Sequence, residues 1–265
     1  MVGIEGVGTG TAMRRRTSAP LLVVIPAFNE QENLAQLFAD LEGRSELRAE
    51  ALRIVIVDDG SSDLTPTLIE AYTGDLPVEL LRFDENQGPG AAFRAGFERV
   101  LELAPEDAFV VTLEADGTGD LAALPRMLAA AADGADVVLA DWKMENVAAH
   151  RRFCSAAAGY VVRKALGIDA KTVSSFFRVY RVSVLRAAFE RYGDNLIREP
   201  GFACKAEILA KMAGMGARIV EEPVALDWSR RAGESKMPVL KTMVAYWRML
   251  FREHGNSKAP EPARL

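Results

Sequence analysis

A chain of 265 residues with 49% hydrophobic and 26% charged residues has the composition of a globular protein that buries a core. Its net charge of −5 argues against nucleic-acid binding, which draws on a basic excess. Two cysteines and two histidines exclude a disulfide framework, argue against a histidine-based metal centre, and point to a reducing, cytoplasmic setting. No apolar run reaches the roughly 20 residues of a membrane-spanning helix. Residues 1–20 carry Arg14-Arg-Arg16 with no apolar core behind it, so they read as a disordered tail rather than a secretory signal. Residues 254–265 read as a second tail.

Leu21–Ile25 is a short apolar run, as expected of a strand buried on both faces. Pro26-Ala-Phe-Asn-Glu30 stops it, and a helix follows with Leu34, Leu37, Phe38 and Leu41 on one face. Arg53–Val57 is a second buried strand. It ends in Asp58-Asp-Gly-Ser-Ser62, whose serines are placed to cap a helix carrying Leu64, Leu68 and Tyr72 inward. Val78–Phe83 is a third strand. Asn86-Gln-Gly-Pro-Gly90 then opens a helix bearing Ala92, Phe93, Phe97 and Leu101, and its glycines allow a ligand or a backbone to come close. Phe109–Leu113 is a fourth strand, Leu121–Ala132 a helix and Ala135–Ala140 a fifth strand. Strand–helix alternation with these connections predicts an α/β fold, with a mostly parallel sheet flanked by helices.

Beyond Asp141 the rhythm changes. Arg151–Leu166 reads as a helix, Val173–Arg181 as an aromatic strand and Phe202–Gly214 as a helix. Arg218–Trp228 is a strand whose Pro223 predicts an edge position. Ser229–Lys236 is a polar basic loop, and a last helix runs from about Pro238 to Arg252. Two readings fit that helix. Leu240, Met243, Val244, Trp247, Leu250 and Phe251 form either a membrane-docking stripe beside Lys241, Arg248 and Arg252, or an ordinary core face.

The chemistry centres on Val110-Val-Thr-Leu-Glu-Ala-Asp116. With period-two alternation, Glu114 and Asp116 leave the end of the fourth strand on one face. Two carboxylates there suit a hard divalent cation with a diphosphate on its other side. Open α/β sheets bind ligands at that edge. Asp58 and Asp59 divide into one turn-shaping and one functional acid. Arg178 and Arg181 are expected to be paired or solvated rather than catalytic.

Pro26-Ala-Phe-Asn-Glu30, Val57-Asp-Asp-Gly-Ser61, Asn86-Gln-Gly-Pro-Gly90, Glu114-Ala-Asp116, Phe177-Arg-Val-Tyr-Arg181 and Gly233-Glu-Ser-Lys236 occur in the order found in family 2 glycosyltransferases. More narrowly, the set resembles dolichyl-phosphate and polyprenyl-phosphate mannose synthases and their glucose-transferring relatives, over about Leu21 to Phe251. The resemblance implies a GT-A fold in one domain, residues 21–253. Its Rossmann-like nucleotide-sugar-binding half would be 21–141 and its acceptor half 142–253. It further implies that Pro26, Phe28, Glu30, Val57, Asp59 and Ala115 line the nucleotide-sugar site. Glu114 and Asp116 would hold Mg2+ or Mn2+, Asp116 also serving catalysis, and Arg230 and Lys236 would close over the diphosphate. The implied donor is of the GDP-mannose or UDP-glucose type, and the implied acceptor is a lipid phosphate or a glycan, in contact with the cytoplasmic membrane face.

The chain departs from the family at three places. Glu114 stands where an aspartate is usual, and Thr118 where some members offer a ligand. The acceptor-side arginines are missing from Ala140-Asp-Trp142 and Ser155-Ala-Ala-Ala-Gly159, leaving Lys143, Arg151 and Arg152 to compensate. A phosphate acceptor needs no general base, whereas a hydroxyl acceptor does, with Glu207 the candidate. A nucleotidyltransferase would want a glycine-rich basic loop where Pro26–Glu30 stands. A catalytically degenerate nucleotide-sugar-binding protein is the non-enzymatic alternative.

Overall fold

The computed structural model describes residues 19–44, 47, 52–143, 170, 172–173, 175–225, 232, 242, 244–249 and 252. Residues 1–18 and 254–265, the expected helix over 151–166, and Arg230 and Lys236 lie outside the described residues.

The first half alternates strand and helix as expected: β1 (Leu21–Ala27), α1 (Leu34–Glu42), β2 (Arg53–Asp58), α2 (Thr65–Glu70), β3 (Val78–Arg82), α3 (Pro89–Leu103) and β4 (Phe109–Thr112). A 3-10 turn over Leu121–Ala123 leads into α4 (Leu124–Ala132), and β5 (Val137–Lys143) follows. The second half adds β6 (Arg178–Arg181), α5 (Val182–Tyr192), α6 (Cys204–Gly214) and β7 (Ile219–Ala225). Positions 242, 244–249 and 252 are helical.

All seven strands form one sheet in the order β3-β2-β1-β4-β6-β5-β7. β1 runs parallel to β2 and β4, and β2 parallel to β3. β6 is antiparallel to both β4 and β5, and β7 returns parallel to β5 on the edge that Pro223 predicted. The division at 141/142 falls within β5, and β6 of the second half lies between two strands of the first.

Strand alternation builds two cores, one on each face. Leu22 and Val24 of β1 and Val55 and Val57 of β2 meet Phe93 and Phe97 of α3, with Leu185 of α5 and Leu209 of α6 in the same cluster. Val23 and Ile25 turn the other way, to Leu34, Leu37 and Leu41 of α1 and Leu124 and Leu128 of α4. Gly96 lets α3 lie close on the sheet: a Cβ there would stand 2.4 Å from Val24 Cγ1.

Some elements differ from expectation. α2 buries Thr65, Pro66 and Ile69, while Leu64 and Leu68 are exposed and Tyr72 stacks on Phe38 at 4.3 Å. Its first turn is held by Asp63, which accepts the Thr65 amide at 2.9 Å, and not by the serines. β4 stops at Thr112, so Glu114 and Asp116 lie just beyond the strand. β5 is longer than predicted, and α5 was not predicted at all. Gly88 (φ +92) and Gly90 do give a close approach, but to backbone: a Cβ on Gly90 would lie 2.0 Å from the Glu199 carbonyl oxygen, and the Gly90 amide donates to the Pro200 carbonyl.

Candidate functional site

The parallel strands β1, β2 and β4 end on one edge, and their register brings the expected donor residues level. Pro26 pairs with Val57, Ala27 with Asp58, and Val24 with Thr112. The pairing ends at Thr112, and Glu114 follows two residues later. The Leu113 amide still donates to the Val24 carbonyl at 3.1 Å.

The loop after β1 is held to the loop after β2. Asn29 has a positive φ of 52°, a conformation asparagine tolerates better than most residues. Its amide donates to Ser61 Oγ, and its Oδ1 accepts the Ser62 amide, both at 2.8 Å. The Glu30 amide donates to Thr65 Oγ1 at 2.8 Å, while the Glu30 carboxylate accepts from Asn33 Nδ2. Asn33 then reaches the basic loop: its Oδ1 accepts the Ala232 amide at 2.9 Å, and its Nδ2 faces the Ala232 carbonyl at 3.4 Å. Ala232, which lies between Arg230 and Lys236 in sequence, is thus tied to the Glu30 corner. Sequence reasoning passed over Asn29 and Asn33; an asparagine in a tight acidic loop was the available signal.

Asp116 is buried and held by Thr118, whose amide and hydroxyl donate to Asp116 Oδ1 at 3.1 and 2.8 Å. Glu114 is half-buried. Together they offer hard oxygen donors at the sheet edge, a set that fits a divalent ion completing its shell with phosphate oxygens. The described residues contain no cluster of three or more potential metal-ligating His, Cys, Asp or Glu side chains.

Lys205 of α6 was missed by sequence reasoning, because an isolated lysine in a helical pattern reads as surface. It is only 6% exposed. Its ammonium lies 4.1 Å from the ring centroid of Phe176 and 5.3 Å from that of Phe202. The Phe176 carbonyl in turn accepts from Thr112 Oγ1 at the end of β4. The ammonium's pKa is lowered: burial pushes it down, and the charges of Glu114 and Asp116 oppose that only in part. The neighbouring Cys204 is a buried free thiol, pushed up to about 12 by burial.

Several candidates carry structural duties. Asp59 clamps the 86–88 turn, accepting the Gln87 amide at 2.7 Å, the Gly88 amide at 2.9 Å and Asn86 Nδ2 at 3.0 Å. Burial raises its carboxyl above the ordinary range against the pull of the Gln87 and Gly88 amides. The Val57 side chain is buried against α3, and Ala115 is buried in the opposite core. Pro26 and Phe28 are half-buried. Glu207 is fully buried: Oε2 accepts the Arg198 and Glu199 amides at 2.8 Å, and Oε1 pairs with Lys211 and Arg252 at 2.7 Å. All four partners hold the carboxylate within the fold. Arg181 pairs with Asp136 as expected, whereas Arg178 is neither solvated nor ion-paired among the described residues: it is buried and donates to the Val173 and Lys205 carbonyls.

A mostly parallel sheet with one antiparallel strand beside the acid-bearing strand is the GT-A glycosyltransferase architecture, and solved structures share it. A glucosyl-3-phosphoglycerate synthase from Mycobacterium tuberculosis, bound to Mn2+, UDP and phosphoglyceric acid, matches with a TM-score of 0.63 at 15% identity, over 92% of this chain and 80% of that one. A mannosyltransferase from Pyrobaculum calidifontis, bound to GDP-Man and Mn2+, matches with a TM-score of 0.62 at 18% identity, over 93% and 67%. The chain belongs to glycosyl transferase family 2, whose profile matches residues 22–189. The undecaprenyl-phosphate mannosyltransferase of Micrococcus luteus is 30% identical to it over 82% of this chain and 87% of that protein.

Proposed function

We propose that this glycosyltransferase moves a hexose from a GDP-mannose or UDP-glucose type donor to a polyprenyl phosphate, with inversion. The observation that supports the reading is that β1, β2 and β4 run parallel and end at one sheet edge, from which Pro26–Glu30 and Glu114–Asp116 follow directly in sequence. The name of the Micrococcus luteus relative supports the lipid acceptor.

Pro26, Phe28 and Glu30 hold the nucleoside, and Glu114 and Asp116 hold Mg2+ or Mn2+. When bound, the ion supplies positive charge to the donor diphosphate. The acceptor phosphate oxygen attacks the anomeric carbon. The carbon–oxygen bond to the diphosphate breaks opposite it, and that electron pair leaves with the nucleoside diphosphate. Arg230 and Lys236 neutralise the charge growing there. The Asn33–Ala232 contact, which ties Ala232 to the Glu30 corner, supports this role. A phosphate acceptor arrives anionic and needs no base, consistent with the engaged Glu207. Incubating the protein with nucleotide sugars and a polyprenyl phosphate tests the reading. Glycosyl lipid with released nucleoside diphosphate is expected. Transfer only to hydroxyl acceptors, or binding without turnover, overturns it.

The last helix supports work at a lipid surface. It turns Ala245 and Met249 inward and leaves Val244 (64%) and Trp247 (55%) exposed, with Arg248 beside them. No helix among the described residues is long and apolar enough to cross a membrane. The protein is expected to float with vesicles containing anionic lipid and to lose much of that binding in Trp247→Ala. A protein wholly in the soluble fraction contradicts surface docking.

A further inference from the structure

We propose that Lys205 is the acceptor-anion site of this enzyme: its caged ammonium, packed on the β6 side of β4, holds the phosphate of the incoming acceptor. The inference rests on the proposed transfer reaction and adds a residue and an acceptor chemistry to it.

The sheet order carries the argument. The nucleoside corner lies on β1 and β2, the acid pair follows β4, and Phe176 leads into β6 on the far side of β4. Lys205 Nζ rests on the Phe176 ring, and that residue's carbonyl is bonded to Thr112, two residues before Glu114. The ammonium thus packs on a residue from the β6 side of β4, within reach of the charges of Glu114 and Asp116. In an in-line displacement the acceptor enters opposite the leaving diphosphate, so a cation on that side meets the acceptor rather than the donor.

Charge agrees. Among the described residues, Lys205 places a positive charge where the charges of Glu114 and Asp116 act on it. Burying an ammonium is costly, and aromatic faces return part of that cost without consuming its three hydrogens. Those hydrogens suit phosphate oxygens.

The test compares wild type, Lys205→Met and Lys205→Arg. The apparent KM for polyprenyl phosphate is measured alongside the Kd for nucleoside diphosphate with Mn2+. Lys205→Met is expected to raise the acceptor KM by about tenfold or more, the scale of one charge-assisted hydrogen bond lost. Nucleoside diphosphate should bind no more weakly, and the melting temperature should not fall. Lys205→Arg should recover most of the acceptor affinity. An unchanged acceptor KM overturns the proposal, as does an equal loss in nucleoside diphosphate affinity. So does a lowered melting temperature with acceptor binding kept, which is the signature of a packing role. Direct titration with citronellyl phosphate separates the two claims. If wild type transfers no sugar but binds this ester through Lys205, the anion site stands and the lipid-transfer reading falls. If the ester does not bind, or binds Lys205→Met equally well, the anion site falls.

Discussion

Asp116 and Glu207 are both buried carboxylates, and their surroundings differ. Asp116 is held on one oxygen by the amide and hydroxyl of Thr118, which fixes its rotamer at the sheet edge. Asp116→Ala is expected to abolish the metal dependence of nucleoside diphosphate binding. Thermal shifts with GDP and UDP, in Mn2+, in Mg2+ and in chelator, measure it. Equal stabilisation of wild type in chelator and in metal contradicts the assignment. Glu207 instead closes a knot with two amides, Lys211 and Arg252, and Arg252 continues to Glu199 at 2.9 Å. Removing one partner of a buried pair strands the other charges. Glu207→Gln should cost on the order of 3 kcal/mol of stability, seen in denaturant titration, while the turnover of the folded fraction changes little. A large fall in turnover at unchanged stability would restore it as a base.

At the scale of elements, the basic loop is the part whose effect should be kinetic. Lys236→Ala and Arg230→Ala are expected to lower turnover roughly a hundred- to a thousandfold with little change in melting temperature. Arg231→Ala is the control, and equal damage from it means that the register of the loop is wrong. Most elements were legible from periodicity: α1, α3 and α4 bury the apolar faces their spacing predicted. Failures have local causes. Thr65 is buried because its hydroxyl accepts the Glu30 amide across two loops, a pairing that hydrophobic patterning does not encode. α5 escaped because Val182 and Val184 follow directly on β6 and are β-branched like its Val179, masking the spacing of Val182, Leu185 and Ala188. In the site, the acid pair was legible as a local triplet. Lys205 was not, because its burial depends on aromatic residues from a separate segment and its own helix turning toward the β4 end.

For the whole molecule, β6 matters most. A strand of the second half lies between β4 and β5 of the first, so neither half owns a complete sheet. Unfolding in denaturant is expected to be one transition, with tryptophan fluorescence and far-ultraviolet circular dichroism coincident. Two separated transitions would mean that the halves fold independently. The same interleaving orders events on the ribosome. β4 pairs with β1 early, but its other side stays an open edge until residues 178–181 have been synthesised. Nascent chains stalled before that point present an unpaired strand of Phe109, Val110 and Val111 directly before the acid pair. They should therefore engage holdase chaperones or aggregate, and a supply of nucleotide sugar should not rescue them.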